Sequence, residues 1–425
     1  MMTEQKFESD LVKSLLENIY NQIAKTDVLG PLRTKSWESF QKLGLPQRKD
    51  ELFRYINLNR FYSNEYTPAE SKDLQKSDIE QFILPECGNS TLVFVNGDFQ
   101  PELSQMSALP KKMIVCRLSE AMRTYGALIT NQWARSNKDE VDPFVAINGA
   151  SHGEGAFIYM PPNVICEAPI QLLYVVDAPD LRAMIMPRLH VFAGTQSSIK
   201  MIATHRAISG QGYCVNQVTE ISLEDNAHVH LSQVNQPSAD DIYHFDAVRA
   251  FLKRDSNLKT VALTHGSMSV RNDYKISLFG ENSHACLNGV WTLNDKREAH
   301  THVLMEHIAP NCTSNQLFKG VLYDYSHSSF DGKIIVEQLA QKTNAFQLNN
   351  NLLLSDGAKA ESSPNLKIYA DDVKASHGAT IGQLPAEELF YMRTRGLTEK
   401  DAREILVAGF CQEVYDMLLL DSVRP

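Results

Sequence analysis

The stretch Asp225-Asn-Ala-His-Val-His230 has three counterparts along the chain: Gln196-Ser-Ser-Ile-Lys-Met201, Asp255-Ser-Asn-Leu-Lys-Thr260 and Glu281-Asn-Ser-His-Ala-Cys286. Each opens on a polar turn and passes into alternating residues, as a strand leaving a tight turn does. With Ser197, Asn226, Ser256 and Asn282 as markers, the steps are 29, 30 and 26 residues. Periods of roughly 20 to 50 residues signal a solenoid or propeller, where each repeat buries its apolar face only against its neighbours. Short polar turns between strands fit a β-helix. A β-sandwich with evenly spaced turns fits the same steps, so spacing alone leaves both open.

Outward from the repeats, short β-type runs broken by Gly, Asn, Asp and Ser extend from about residue 145 to the mid-380s. The ends read differently. Phe7, Leu11, Leu15, Ile19 and Ile23 recur every four residues and predict an amphipathic helix. Trp37, Phe40 and Leu43 share the stripe of a second helix, stopped by Gly44 and Pro46. The basic, aromatic segment from Gly44 to Tyr55 reads as a turn and a solvated surface helix. In Leu92-Val-Phe-Val-Asn-Gly-Asp-Phe99 the Asn-Gly pair predicts a small hairpin. Toward the C-terminus, Pro385, the acidic Glu387 and Glu388, the basic Arg393 and Arg395, and Gly396 outline one short helix. Thr398 with Asp401 starts another, whose apolar face is Ala402, Ile405, Leu406, Gly409, Phe410, Val414 and Met417. The expected organisation is a mainly helical region with a hairpin over 1–140, a β core over 141–370 and a helical domain over 371–425.

With 41 basic against 51 acidic residues the chain carries a net charge of −10, which disfavours nucleic acid and anionic membranes as partners. No apolar run approaches the roughly 20 residues of a membrane span, and Met-Met-Thr-Glu-Gln-Lys lacks a signal-type apolar core, so the expected compartment is the cytoplasm. Seven cysteines stand singly, none in a Cys-x-x-Cys pair, which points to reduced thiols and gives no local nest for zinc or a resident iron–sulfur cluster.

Candidate chemistry is sparse. His300 and His302 would share one side of a strand, but His307 needs a turn to join them and no Cys or carboxylate stands at a recognised spacing; His228 and His230 are a similar pair. Structural histidines are the expectation for both groups. The chain has no Walker A loop or dinucleotide fingerprint. A stand-alone β-helix carbohydrate-active enzyme would draw on Asp371, Asp372 and Lys374, although acidic residues at a solenoid end also keep an exposed edge soluble.

Glu306-His-Ile-Ala-Pro-Asn-Cys-Thr-Ser-Asn-Gln-Leu-Phe-Lys-Gly-Val-Leu322 is followed in order by Phe330-Asp-Gly-Lys-Ile334, Asn350-Asn-Leu-Leu-Leu-Ser355, Ile368-Tyr-Ala-Asp-Asp-Val-Lys-Ala-Ser-His-Gly-Ala-Thr-Ile-Gly382 and Leu389-Phe-Tyr-Met-Arg-Thr-Arg-Gly396. This set resembles the SufB/SufD family of iron–sulfur cluster assembly scaffolds over about residues 300 to 412. It extends to Gly44-Leu-Pro46, Arg48-Lys49, Glu51 and Tyr55, with Phe53 where the family often has Trp. Within the family it resembles the SufD side, because SufB-like chains are longer and read Glu-His-Glu-Ala where this one has Ser376-His-Gly-Ala379. The resemblance implies a right-handed parallel β-helix between helical ends, and a non-catalytic scaffold pairing with a SufB-like subunit and bound through its C-terminal helices to a SufC-like ATPase. It further implies a transient cluster near the SufB-like interface, with His377 as a ligand beside a partner cysteine and no permanently bound cofactor. Asp371, Asp372, Lys374, Phe390, Arg393, Arg395 and Phe410 are the interface candidates. The family commonly has Cys directly before Ser-His-Gly, where this chain has Ala375. Exposed solenoid edges make a homodimer an expectation for the isolated chain, and a purely structural interaction protein with no role for His377 is the remaining alternative.

Overall fold

The computed structural model describes residues 2–23, 27–69, 73–179, 182–210, 212–236 and 241–424, with side chains from residue 10 onward. Two large sheets face each other, and beyond residue 156 the chain passes from one to the other, laying each new strand parallel to and in register with the strand one turn earlier. This is a parallel β-helix, and the sandwich reading falls away. One sheet ends on Lys359–Ile368 and the other on Val373–Gly382.

The repeat detected in the sequence is one corner of the solenoid: its markers Asn226 and Asn282 lie in a column of left-handed turn residues, and Ser197 and Ser256 one residue further on. Gln196, Asn226, Asp255, Asn282, Asn311 and Lys342 all adopt left-handed backbone, with φ from 56° to 60°. In this conformation each backbone N–H reaches the next turn: Gln196 donates to the Asp225 carbonyl (3.0 Å), Asn226 to Arg254 (2.8 Å), Asp255 to Glu281 (3.0 Å) and Asn282 to Pro310 (3.1 Å). Asn311 then donates to Gln341 (2.9 Å) and Lys342 to Asp372 (2.6 Å). Asn and Asp tolerate this region better than other residues with a Cβ, which is why the turns read Asn or Asp so often. The residue that follows is small and buried: Ser197, Ala227, Ser256, Ser283, Cys312 and Thr343.

Between the sheets lies the main core, built from inward residues such as Leu172, Leu189, Ile199, Leu231, Ile276, Leu287, Phe318 and Ile334. The helical ends cover the outer faces. Met2–Gln22, Gly30–Leu43, the short Leu58–Tyr62 and Pro143–Ser151 pack on one sheet, with Phe61 against Tyr243 and Phe245, Phe144 against Phe245, and Phe40 in the same apolar cluster. The helix Glu399–Tyr415 lies on the other, where Cys411 and Val414 cover Ile202, Val234, Val261 and Val290. The Asn96-Gly97 turn forms the expected hairpin, both residues at positive φ, and its first strand also extends the second sheet by pairing with Ile170–Asp177.

Three local expectations change. In the first helix the buried stripe is Val12, Leu16, Ile19 and Tyr20 while Leu11 faces solvent, because the 3.6-residue period rotates a strict four-residue spacing off the face; the Phe7 side chain lies outside the described residues. The segment from Gly44 to Tyr55 is no solvated helix: it makes one short turn, Glu51–Phe53, that buries Phe53 against the solenoid, with the Arg271 guanidinium 4.6 Å from its ring centre. The β-helix also continues past residue 370, since Val373 and Ala375 still pack inward, and the C-terminal helices begin at Ala386.

The left-handed column has a measurable consequence. Asn226→Val places a β-branched side chain at φ 56° and should lower the unfolding free energy by about 1–2 kcal/mol, whereas Asn226→Gly should change it by under about 0.5 kcal/mol, both read from urea midpoints.

Candidate functional site

His377 lies in the middle of Val373–Gly382, not at the turn before the helix, in register with Gln347 of Thr343–Leu353. Side chains two apart share a strand face, so His377 points to the same side as Val373 and Ala375, which pack against the main core. Its column through the solenoid runs Leu231, Thr260, Leu287, Gln316, Gln347 and His377. No described strand stacks on the last rung, so His377 has an inward direction and yet is exposed.

The same end presents other unfinished surfaces. Val373–Gly382 and Lys359–Ile368 each pair on one side only, leaving a row of backbone donors and acceptors open. Ile368, Tyr369 and Ile381 are exposed around them, and Phe346 and Leu348 are exposed on the outer side of the penultimate strand. A patch of large apolar side chains beside open strand edges marks a contact surface. Asp371 and Asp372 form the solvent-facing turn before the last strand, where the Asp372 N–H is bound by Gln341 Oε1 (2.9 Å), and Lys374 is exposed on the outer side of the strand.

In the short helix Ala386–Thr394 no residue is buried, and Phe390 is 70% exposed. Arg393 reaches Glu399 at 3.6 Å, and Arg395 lies over Tyr391, donating to its hydroxyl at 2.9 Å. Phe410 instead turns toward the solenoid, where Lys319 Nζ sits 5.2 Å from its ring centre and binds its carbonyl at 2.9 Å.

The other histidines are occupied or dispersed. His300 Nδ1 contacts Ser329 Oγ (2.8 Å) and His302 Nδ1 contacts Asp273 Oδ2 (3.1 Å), both on the outer face, while His307 turns inward to Ser314 Oγ (2.8 Å). His230 sits between Lys200 and Lys259, and burial followed by these cations lowers its pKa to about 4. Among the described residues no three His, Cys, Asp or Glu side chains are grouped to hold a metal ion. Burial raises the thiols of Cys87 and Cys116 to about 11, and also raises Cys166, Cys214, Cys312 and Cys411, so these favour the protonated form over the thiolate that binds iron.

A cleft of about 270 Å³ beside Asn57, Arg60, Tyr243, Ser269 and Lys296 contains one carboxylate, Glu298, which already receives the Asn57 N–H (3.3 Å). Glycoside hydrolysis usually requires a facing pair of carboxyl groups, and Asp371 and Asp372 stand on an outward turn. Neither place suits a carbohydrate-active enzyme.

Sequence reading missed a buried ionic cluster. Arg249 binds Glu140 (2.7 Å) and Asp273 (2.6 Å), while Arg271 binds Asp142 and Asp273. Burial alone would raise the Asp273 carboxyl, but the Arg249 and Arg271 guanidiniums hold it well below the usual carboxylate range. The cluster ties the loop before Pro143–Ser151 to the solenoid. Its only sequence signal was charged residues within otherwise apolar strands.

Comparisons with known proteins identify the family. Residues 174–410 match the SufBD core domain of SUF system FeS cluster assembly, and residues 3–172 match the SufBD protein N-terminal region. An iron–sulfur cluster assembly SufBD family protein of Synechocystis is 31% identical over 432 residues, covering 100% of this chain and 92% of its own. SufD of Escherichia coli is 32% identical over 219 residues, 52% of this chain and 50% of that one. SufD of Bacillus subtilis is 23% identical over 398 residues, covering 92% and 91%. The chain belongs to the SufBD family, whose work is iron–sulfur cluster assembly. Membership supports a scaffold subunit in place of an enzyme.

Removing one member of the ionic cluster leaves its partners buried and uncompensated. Arg271→Met should lower the unfolding free energy by about 3–5 kcal/mol, measured by denaturant titration.

Proposed function

We propose that this chain is the SufD-like half of a two-scaffold assembly, joined to a SufB-like subunit through the open end of its β-helix. The observation that carries the reading is His377: an exposed imidazole on a terminal strand with one open edge, turned toward the solenoid axis. A neutral imidazole binds iron, but an iron–sulfur cluster usually needs about four protein ligands. Ala375, on the same side, offers none, so the remaining ligands, a thiolate included, come from the partner. The cluster is cargo: it is held while being built or transferred and is not a resident cofactor.

The exposed helix Ala386–Thr394 supports a second contact, with a SufC-like ATPase that supplies the nucleotide turnover. Phe390 is its apolar centre, with Arg393 and Arg395 at its basic end. Asp371, Asp372 and Lys374 border the first contact, and Phe410 supports the second from beneath. No described helix is long and apolar enough to cross a membrane, and with the acidic net charge this favours a cytoplasmic assembly free of nucleic acid. Without the SufB-like subunit, the same open edges would pair two copies of this chain.

Co-expression with SufB-like and SufC-like subunits should yield a stable complex; a chain eluting alone in size-exclusion and pull-down experiments would contradict the assembly. His377→Ala should leave that complex intact and lower iron and sulfide incorporation, and an unchanged cluster yield would remove His377 from the site. Phe390→Asp should weaken capture of the ATPase subunit about tenfold or more while scaffold pairing persists, as loss of a central aromatic anchor does.

A further inference from the structure

Beneath His377 the interior column changes character. Its earlier rungs include Leu231 and Leu287, but Gln316 and Gln347, 3% and 2% exposed, put two amides directly below the open end. Gln347 Nε2 donates to Gln316 Oε1 at 2.9 Å. Gln347 Oε1 is buried and has no partner. Gly332, on the facing sheet, makes room for this arrangement: a Cβ there would fall 2.0 Å from Gln347 Nε2. With Nε2 held from below by Gln316, the Gln347 amide is left with an unpartnered carbonyl, and the next rung of the column is His377.

We infer that Gln347 is a positioning residue for His377: the exposed imidazole, one rung above the unpartnered Gln347 Oε1, turns down to donate one N–H to that carbonyl, which fixes the ring nitrogen that keeps its lone pair toward the open end. The inference rests on the reading of His377 as a cluster ligand. A neutral imidazole has one donor and one acceptor nitrogen, and engaging the donor selects the tautomer. Histidines that bind metals commonly donate their other N–H to a carbonyl or carboxylate, and losing that partner typically costs 10- to 100-fold in metal affinity or activity. Here the support is an amide ladder inherited from the solenoid, so the lone pair is oriented before any partner arrives.

The test uses the full chain labelled with ¹⁵N-histidine, with the His377 ring signals identified by their loss in His377→Ala. Long-range ¹H–¹⁵N spectra should show one dominant His377 tautomer in the unaltered chain and a mixture in Gln347→Met, which keeps the side-chain volume and removes the carbonyl. If Gln347→Met does not fold, Gln347→Asn, which withdraws the carbonyl by one methylene, is read in the same way. Gln347→Glu should retain the tautomer, because it keeps the acceptor and Gln316 Nε2, itself without a partner, can donate to the new carboxylate. In the reconstituted assembly, Gln347→Met should lower cluster yield about tenfold or more, with Gln347→Glu near the unaltered level. A purely structural glutamine would shift melting and leave the tautomer unchanged, which would overturn the inference. Loss of the tautomer in Gln347→Glu would also overturn it, by showing that Gln347 acts as a donor. Unchanged cluster yield in His377→Ala would remove the ligand reading while leaving the tautomer result intact, so the two failures are distinct.

Discussion

Everything in this molecule depends on one turn stacking on the next in register. Each rung satisfies the backbone of the rung before it, and the left-handed residue at the corner passes a hydrogen bond along the axis from Gln196 to Lys342. A stack of this kind has no internal reason to stop. It ends only where something covers it or where a rung is left open for another molecule. At the N-terminal end the hairpin at Asn96 and the strand Ile114–Arg117 close the two sheets. At the C-terminal end the described residues leave both last strands open, and the imidazole of His377 stands on one of them.

The outer faces follow the same logic. Apolar columns on one sheet are covered by N-terminal helices and on the other by the helix that ends at Tyr415. The buried Arg–carboxylate cluster holds the first of these covers in place. Such a cluster contributes little net stability when complete and is costly to break, so it fixes the cover in one position more than it strengthens the fold. The helix Ala386–Thr394 has no buried residue.

The repeat was legible because its corner requires a residue tolerant of left-handed backbone, and Asn and Asp supply that requirement locally. The Asn-Gly hairpin and the Thr398 cap were legible for similar reasons, each being a matter of a few adjacent residues. The burial of Phe53 was not, because one short turn has too few residues to show a period and its burial depends on a sheet face more than 100 residues away. The Arg249 and Arg271 cluster was hidden for the same reason, with partners 109 and 129 residues apart. At the site, the ordered motifs pointed to His377, but its inward direction follows only from knowing that the strand begins at Val373. The amides of Gln316 and Gln347 gave no signal at all, since their alignment with His377 exists only in the register of three strands.

The most direct measurement of the central claim is hydrogen–deuterium exchange of the chain, alone and with a SufB-like subunit. The account predicts that amides of Lys359–Ile368 and Val373–Gly382 exchange readily in the chain diluted until it is monomeric and become protected in the complex, with little change in the earlier rungs. Equal exchange of these two strands in both states, with protection appearing elsewhere on the solenoid, would contradict it.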